Sequence, residues 1–229
     1  MIGGWGEFAS ALALFLSSHG IPARPALKAR IIAGIGRRAY LVVFNAVSIL
    51  LLIWLIAAAA RAPYVALWYQ QEWHRWVVNL VMPFAIVLGV FGIGMPNPLS
   101  FGGSKRGFDP DHPGVAGIAR HPLLWAFFMW ASVHLLANGD LAHAILFGGF
   151  GAMAVLGMWA IDARNRHAIG RAEWRRLAYR TSAVPFAALL FGRWRPHRPP
   201  MLWRLLLALA IWPVLLWLHP MVIGVSPLP

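Results

Sequence analysis

Tyr40-Leu41-Val42-Val43-Phe44-Asn45-Ala46-Val47-Ser48-Ile49-Leu50-Leu51-Leu52-Ile53-Trp54-Leu55-Ile56-Ala57-Ala58-Ala59-Ala60 carries no charged residue from end to end. At about 1.5 Å per helical residue the run spans about 30 Å, the thickness of a bilayer's hydrocarbon core. A helix that is apolar all round must cross a membrane or lie buried on every side. Working outward, five more apolar stretches fall at about residues 5–19, 76–95, 121–138, 141–161 and 201–219. Of the 229 residues, 60% are hydrophobic and 12% charged, whereas a soluble domain has about a quarter charged residues. These proportions exclude a water-soluble enzyme. They predict an all-α integral membrane helical bundle of six transmembrane helices, one domain over residues 1–229.

The net charge of +13 first suggests nucleic acid, but its distribution argues otherwise. The first connecting loop holds Arg24, Lys28, Arg30, Arg37 and Arg38, and the third holds Lys105, Arg106 and Arg120. The fifth holds nine arginines between Arg164 and Arg198, whereas the second has only Arg61 and Arg75 and the fourth none. Basic residues mark cytoplasmic loops, so this bias puts the odd loops in the cytoplasm and both termini on the non-cytoplasmic side. The charge thus reads as topology, with attraction to anionic lipid and no nucleic-acid partner. The first stretch does not read as a cleaved signal peptide, since no basic residue precedes it and Glu7 sits where one belongs. Position 2 is not glycine, which excludes N-myristoylation. The absence of cysteine excludes disulfides, thiolate metal sites and a cysteine nucleophile.

Between the spans, Ala26 to Tyr40 reads as a basic amphipathic segment on the membrane surface. Pro96 to Pro113, rich in glycine but without phosphate-loop spacing, reads as a flexible linker. Trp5, Trp76 and Trp203 stand at span ends as interfacial anchors, and Ala144, Gly148 and Ala152 form a small-residue stripe suited to close helix packing. Asn138-Gly139-Asp140 reads as a tight turn and helix cap, and Pro122 as a helix start.

Candidate chemistry rests on histidine. His74, His112, His167 and His197 fall in polar loops and read as solvated, whereas His19, His121, His134, His143 and His219 lie in or at the ends of spans. Imidazoles projecting from facing helices are a common way to hold haem iron. His121 and His134 are 13 residues apart and point about 220° apart on a helix, so they address different pockets. Trp125, Phe128 and Ser132 share the His121 face, and Leu123, Phe127 and Trp130 share that of His134. Arg120 is a candidate partner for an anionic group such as a haem propionate.

The string from Arg120-His121-Pro122-Leu123-Leu124-Trp125 to Trp130-Ala131-Ser132-Val133-His134, then Leu135-Leu136-Ala137-Asn138-Gly139-Asp140, resembles the NnrU family. This bacterial membrane family is linked to nitrite and nitric oxide reduction and related to plant zeta-carotene isomerase. Ser18-His19-Gly20 followed by Gly36-Arg37-Arg38-Ala39-Tyr40, the stretch Arg180 to Ala188, and Trp217-Leu218-His219-Pro220 before Ile223-Gly224-Val225 are similar to further family stretches. The resemblance implies a haem b held by His19 and His134, with Arg120, His121 and Trp130 around it. It implies either cis-trans isomerisation of a carotenoid polyene, or a non-catalytic haem protein that handles nitric oxide or electrons in denitrification. The second role implies a membrane redox partner. The isomerase has cysteine where this chain has Ala131, so a ligand exchange through thiolate cannot operate here.

Six spans set His19 at the cytoplasmic end of the first helix and His134 about 20 Å beyond His121. One iron cannot bridge that gap, so His19 and His134 pair only if the first span lies elsewhere or the fourth helix starts well below the membrane surface. Otherwise the pair is His19 with His121, or His134 with His143 or His219. A more distant likeness, of Arg120-His121-Pro122 with Glu173-Trp174, Tyr179 and Pro185 to isoprenylcysteine methyltransferases, implies S-adenosylmethionine at the cytoplasmic edge. A structural subunit role is the remaining alternative.

Overall fold

The computed structural model describes residues 4–21 and 24–229, and the described residues fold into ten helices without a β-strand. In chain order these are α1 (Trp5–His19), α2 (Pro25–Ile35), α3 (Arg37–Arg61), α4 (Glu72–Gly92) and α5 (Val115–Ile118). There follow α6 (Pro122–Asn138), α7 (Leu141–Ile169), α8 (Arg171–Ala178), α9 (Ala187–Leu190) and α10 (Leu202–Val222). Helices α3, α4, α7 and α10 are long and apolar enough to cross a membrane. Helix α6 is apolar but has 17 residues, and α1 has 15, short of the usual span of about 20. On α3, Val42, Val43, Ile49, Leu50 and Ile53 are all exposed. Aliphatic side chains turned outward along a whole helix match lipid as the surrounding solvent.

Two compact units make up the chain. One runs to Tyr69 and takes in Gly139–Leu146; the other comprises Gln70–Asn138 and Phe147–Pro229. In the first, α1 packs on α3 around buried Phe8, Ala11, Phe15, Leu55 and Ala58. Glu7 fixes their register by accepting Trp54 Nε1 at 3.0 Å and pairing with Arg61 at 2.5 Å. The Ala26–Tyr40 segment is not one surface helix. Gly36 adopts φ +81° between α2 and α3, so Arg37 to Tyr40 begin the long apolar helix instead. The turn at residue 139 is as expected. Gly139 has φ +73°, its carbonyl accepts the Leu67 and Trp68 amides, and Asp140 Oδ1 accepts the His143 amide at 3.2 Å to cap α7.

In the second unit α4 packs against both α6 and α10. His74, expected as a solvated loop residue, is buried at the start of α4, where its Nδ1 accepts the Gln71 amide at 3.2 Å. The glycine-rich stretch after α4 is not a flexible linker. Asn97 and Leu99 are buried, and Asn97 N donates to Ser104 O and Ser104 N to Met95 O. Its glycines serve close approach, since a Cβ on Gly103 would overlap the Asn97 backbone and one on Gly102 the Leu123 side chain. The small-residue stripe on α7 also needs correction. A Cβ at Gly148 meets nothing within 4 Å, whereas one at Gly151 or Gly157 would touch Phe128 or Leu124 of α6.

Candidate functional site

Helix α6 carries a polar cluster at its first turn and an imidazole near its last. His121 and His134 are 13 positions apart, about 20 Å along the axis.

The polar cluster is built from Arg120 and His121, which precede α6, and Asp162 of α7. Arg120 Nη1 pairs with Asp162 Oδ2, and Arg120 Nε donates to Thr181 Oγ1 at 2.7 Å. His121 Nε2 lies 3.2 Å from Asp162 Oδ1, and His121 Nδ1 lies 3.0 Å from Ser100 Oγ. A carboxylate only accepts, so in the neutral ring Nε2 carries the proton and Nδ1 accepts the Ser100 hydroxyl. Trp174 of α8 has the guanidinium carbons of Arg120 and Arg166 each 5.0 Å from its ring. Main-chain bonds complete the assembly: Asn97 Nδ2 donates to Arg120 O at 2.8 Å, and Arg120 N to Ser182 O at 2.6 Å. Burial pushes the Arg120 guanidinium below the usual arginine range, against the pull of Asp162, and Arg120 and His121 are both almost inaccessible. Both His121 nitrogens are engaged. The cluster therefore acts as a clamp joining the 97–104 loop, α6, α7 and the Thr181-Ser182 turn, and offers no lone pair to a metal.

The far end of α6 differs in character. Trp130, His134, Phe127, Phe147 and Phe150 form one aromatic assembly, with Trp130 and His134 ring centroids 5.3 Å apart and Phe127 stacked on Trp130 at 5.3 Å. His134 Nδ1 lies 2.8 Å from Trp130 O. A carbonyl can only accept, so Nδ1 carries the proton and the lone pair of the neutral ring sits on Nε2, which has no protein partner among the described residues. His134 and Trp130 line a cavity of about 290 Å³ with Val78 and Met82 of α4, Trp212, Leu215 and His219 of α10, and Pro227 of the C-terminal tail. No carboxylate is among its described walls.

The sequence model of the NnrU family matches residues 7–227. The chain belongs to the NnrU family. No curated protein matches the chain, and no solved structure does.

In this NnrU family member the expected site residues therefore divide. His134 and Trp130 share the cavity, joined by His219. Arg120 and His121 belong to the clamp and are not among the cavity walls. His19 ends α1 in the first unit, its Nδ1 2.8 Å from Phe15 O and its ring packed against Phe15 and Phe44. His143 is bonded through Nδ1 to Asp140 Oδ2 at 2.7 Å. Of the residues that suggested a methyltransferase, Glu173 pairs with Arg176 on the surface, Tyr179 is exposed and Trp174 serves the clamp. Among the described residues no group of three or more His, Cys, Asp or Glu side chains is placed to hold a metal ion. Sequence reading missed Asp162, Ser100 and Thr181. One signal was present: Asp162 is the sole acidic residue between Asp140 and Glu173, at the end of an apolar run.

Proposed function

We propose that this protein is an integral membrane haem b protein of a bacterial cytoplasmic membrane, with His134 as an iron ligand and an apolar polyene as its substrate. The observation that carries this reading is the tautomer of His134. Its Nδ1–H is fixed on the Trp130 carbonyl, the arrangement that aims and strengthens metal-ligating histidines, and its ring lines an apolar cavity. The walls suit a macrocycle: Trp130, Trp212, Met82 and Leu215 offer flat and polarizable surface. When bound, haem b supplies a redox-active iron that can act on a π-system or take nitric oxide.

The chain's own residues do the rest. The stack of Phe127, Phe147 and Phe150 behind Trp130 fixes the angle of the His134 ring. The aliphatic walls keep the cavity apolar, which suits a hydrocarbon substrate.

The test is an absorption spectrum of detergent-purified protein, oxidised and dithionite-reduced, with a pyridine haemochrome assay. Haem b bands in the wild type, absent from His134→Ala, are the expected result. Adding a cis-polyene to the reduced protein then separates an isomerase, which converts it, from a haem protein that responds to nitric oxide alone. A colourless wild type that takes up no added haemin overturns the proposal.

A further inference from the structure

A second cavity, of about 210 Å³, shares no wall with the one that holds His134. It forms where the loop ahead of α5 meets the segment after α9. Asp111 and His112 come from the first, Arg193, Arg195 and His197 from the second, and Arg180 from the turn after α8. Three arginines thus line it against one carboxylate. Asp111 Oδ1 is already engaged by Arg180 Nε at 3.3 Å, and the neighbouring Asp109 by His112 Nδ1 at 2.8 Å. Among the described residues Arg195 has no polar partner, and neither has His197, whose ring lies 4.4 Å from that of His112. Guanidinium and imidazole donors gathered with so little counter-charge form a site for an anion.

The basic segment is held in shape rather than trailing in solvent. Gly192 turns the chain after α9 with φ +66°, and the Arg193 and Trp194 amides both donate to Ala188 O, at 2.8 and 3.0 Å. Trp194 between the two arginines is buried against Gly117, where a Cβ would overlap its ring. Arg193 Nη1 donates to Tyr179 O at 2.9 Å, which fixes that side chain and leaves its other donors for a ligand. Preorganised donors of this kind lose little freedom when an anion arrives.

The borders of the cavity indicate where the anion comes from. Leu190 and Phe191, immediately ahead of Gly192, are 79% and 77% exposed, and Met201, Leu202 and Trp203 are exposed where α10 begins. Along the chain the basic segment is therefore flanked on both sides by apolar side chains that face outward at the end of a helix long enough to cross a membrane. A soluble anion has no use for such a border, whereas a phospholipid has a phosphate for the arginines and acyl chains for the apolar side chains. We propose that this cavity binds the phosphate of an anionic phospholipid headgroup, with Arg193, Arg195 and His197 as donors and Leu190 and Phe191 against the acyl chains. The site is independent of the haem reading.

The test is native mass spectrometry of the full-length protein in mild detergent containing equal amounts of dioleoylphosphatidylglycerol and dioleoylphosphatidylcholine. Wild type is expected to retain the glycerol lipid in preference to the choline lipid. Arg195→Gln, at an exposed and unpartnered side chain, is expected to weaken that retention about fivefold without changing the thermal midpoint. Arg193→Gln combined with Arg195→Gln should weaken it further. The double variant Arg171→Gln with Arg175→Gln removes two exposed charges from α8, outside the cavity, and is expected to retain lipid as wild type does. Leu190→Ser with Phe191→Ser is expected to lower lipid retention as well. Equal retention of the two lipids by wild type, or equal losses in the α8 and cavity variants, overturns the proposal. Displacement of the lipid by millimolar inorganic phosphate, with retention unchanged in the Leu190 and Phe191 variant, would assign the cavity to a soluble phosphate and overturn the lipid assignment.

Discussion

Asp162 does the most at the level of single residues. It neutralises Arg120 and holds His121 at one point, with the Arg120 side chain 7% exposed and that of Asp162 15%. Removing one member of a buried ion pair leaves the other charge unpaired, at a cost of about 3–5 kcal/mol. Asp162→Ala is therefore expected to lower the thermal midpoint of the detergent-solubilised protein strongly, whereas Arg120→Leu combined with Asp162→Leu should cost less than the two single changes summed. Additive losses would mean that the two side chains do not depend on each other. The clamp was only half legible in the sequence. Arg120-His121 stood out as a charged pair at the mouth of an apolar run, but their partners arrive from 41 and 61 positions away along the chain. No local pattern announces such a meeting. His134 was legible because an imidazole inside a hydrophobic helix is costly unless it is used, whereas the sequence left His19, His143 and His219 open as its neighbours, and only the packing of α10 and its tail on α4 sets His219 at the cavity.

Helix α6 and the loop ahead of it show how an element's reading depends on its length. Long apolar runs declare themselves: α3, α4, α7 and α10 lie where hydrophobicity put them, and Pro122 opens α6 as expected. The short elements did not. Helices α5, α8 and α9 have 4, 8 and 4 residues, too few for a periodic signal, and the 96–113 loop was misread because its glycines look like flexibility. Gly103 is there for contact, and a methyl group on it must displace the Asn97 backbone, whose side chain holds Arg120 O. Overpacking of this kind costs about 1–3 kcal/mol, while Gly148→Ala, in open space on α7, is expected to be neutral or stabilising through helix propensity. Thermal midpoints of the two variants check this. Equal stability would return the loop to a linker.

At the scale of the whole molecule, orientation in the membrane decides which compartment the cavity meets. The arginine-rich segment from Arg164 to Arg198 and the C-terminal tail bracket α10, a helix long enough to cross, so they must emerge on opposite sides if it spans. Because basic residues favour the cytoplasm, the tail, and with it the cavity that Pro227 helps to line, is expected on the outer side. There the haem of the proposal would meet polyene, nitric oxide or a redox partner from the outer leaflet or beyond. The chain has no cysteine, so a single introduced thiol reports its own side without interference. Ser226 and His167 are both exposed, one in the tail and one near the end of α7. A membrane-impermeant maleimide added to intact spheroplasts is expected to label Ser226→Cys at once and His167→Cys only after permeabilisation. The reverse pattern would invert the molecule, place the cavity at the cytoplasmic face, and require that the arginines act on something other than topology.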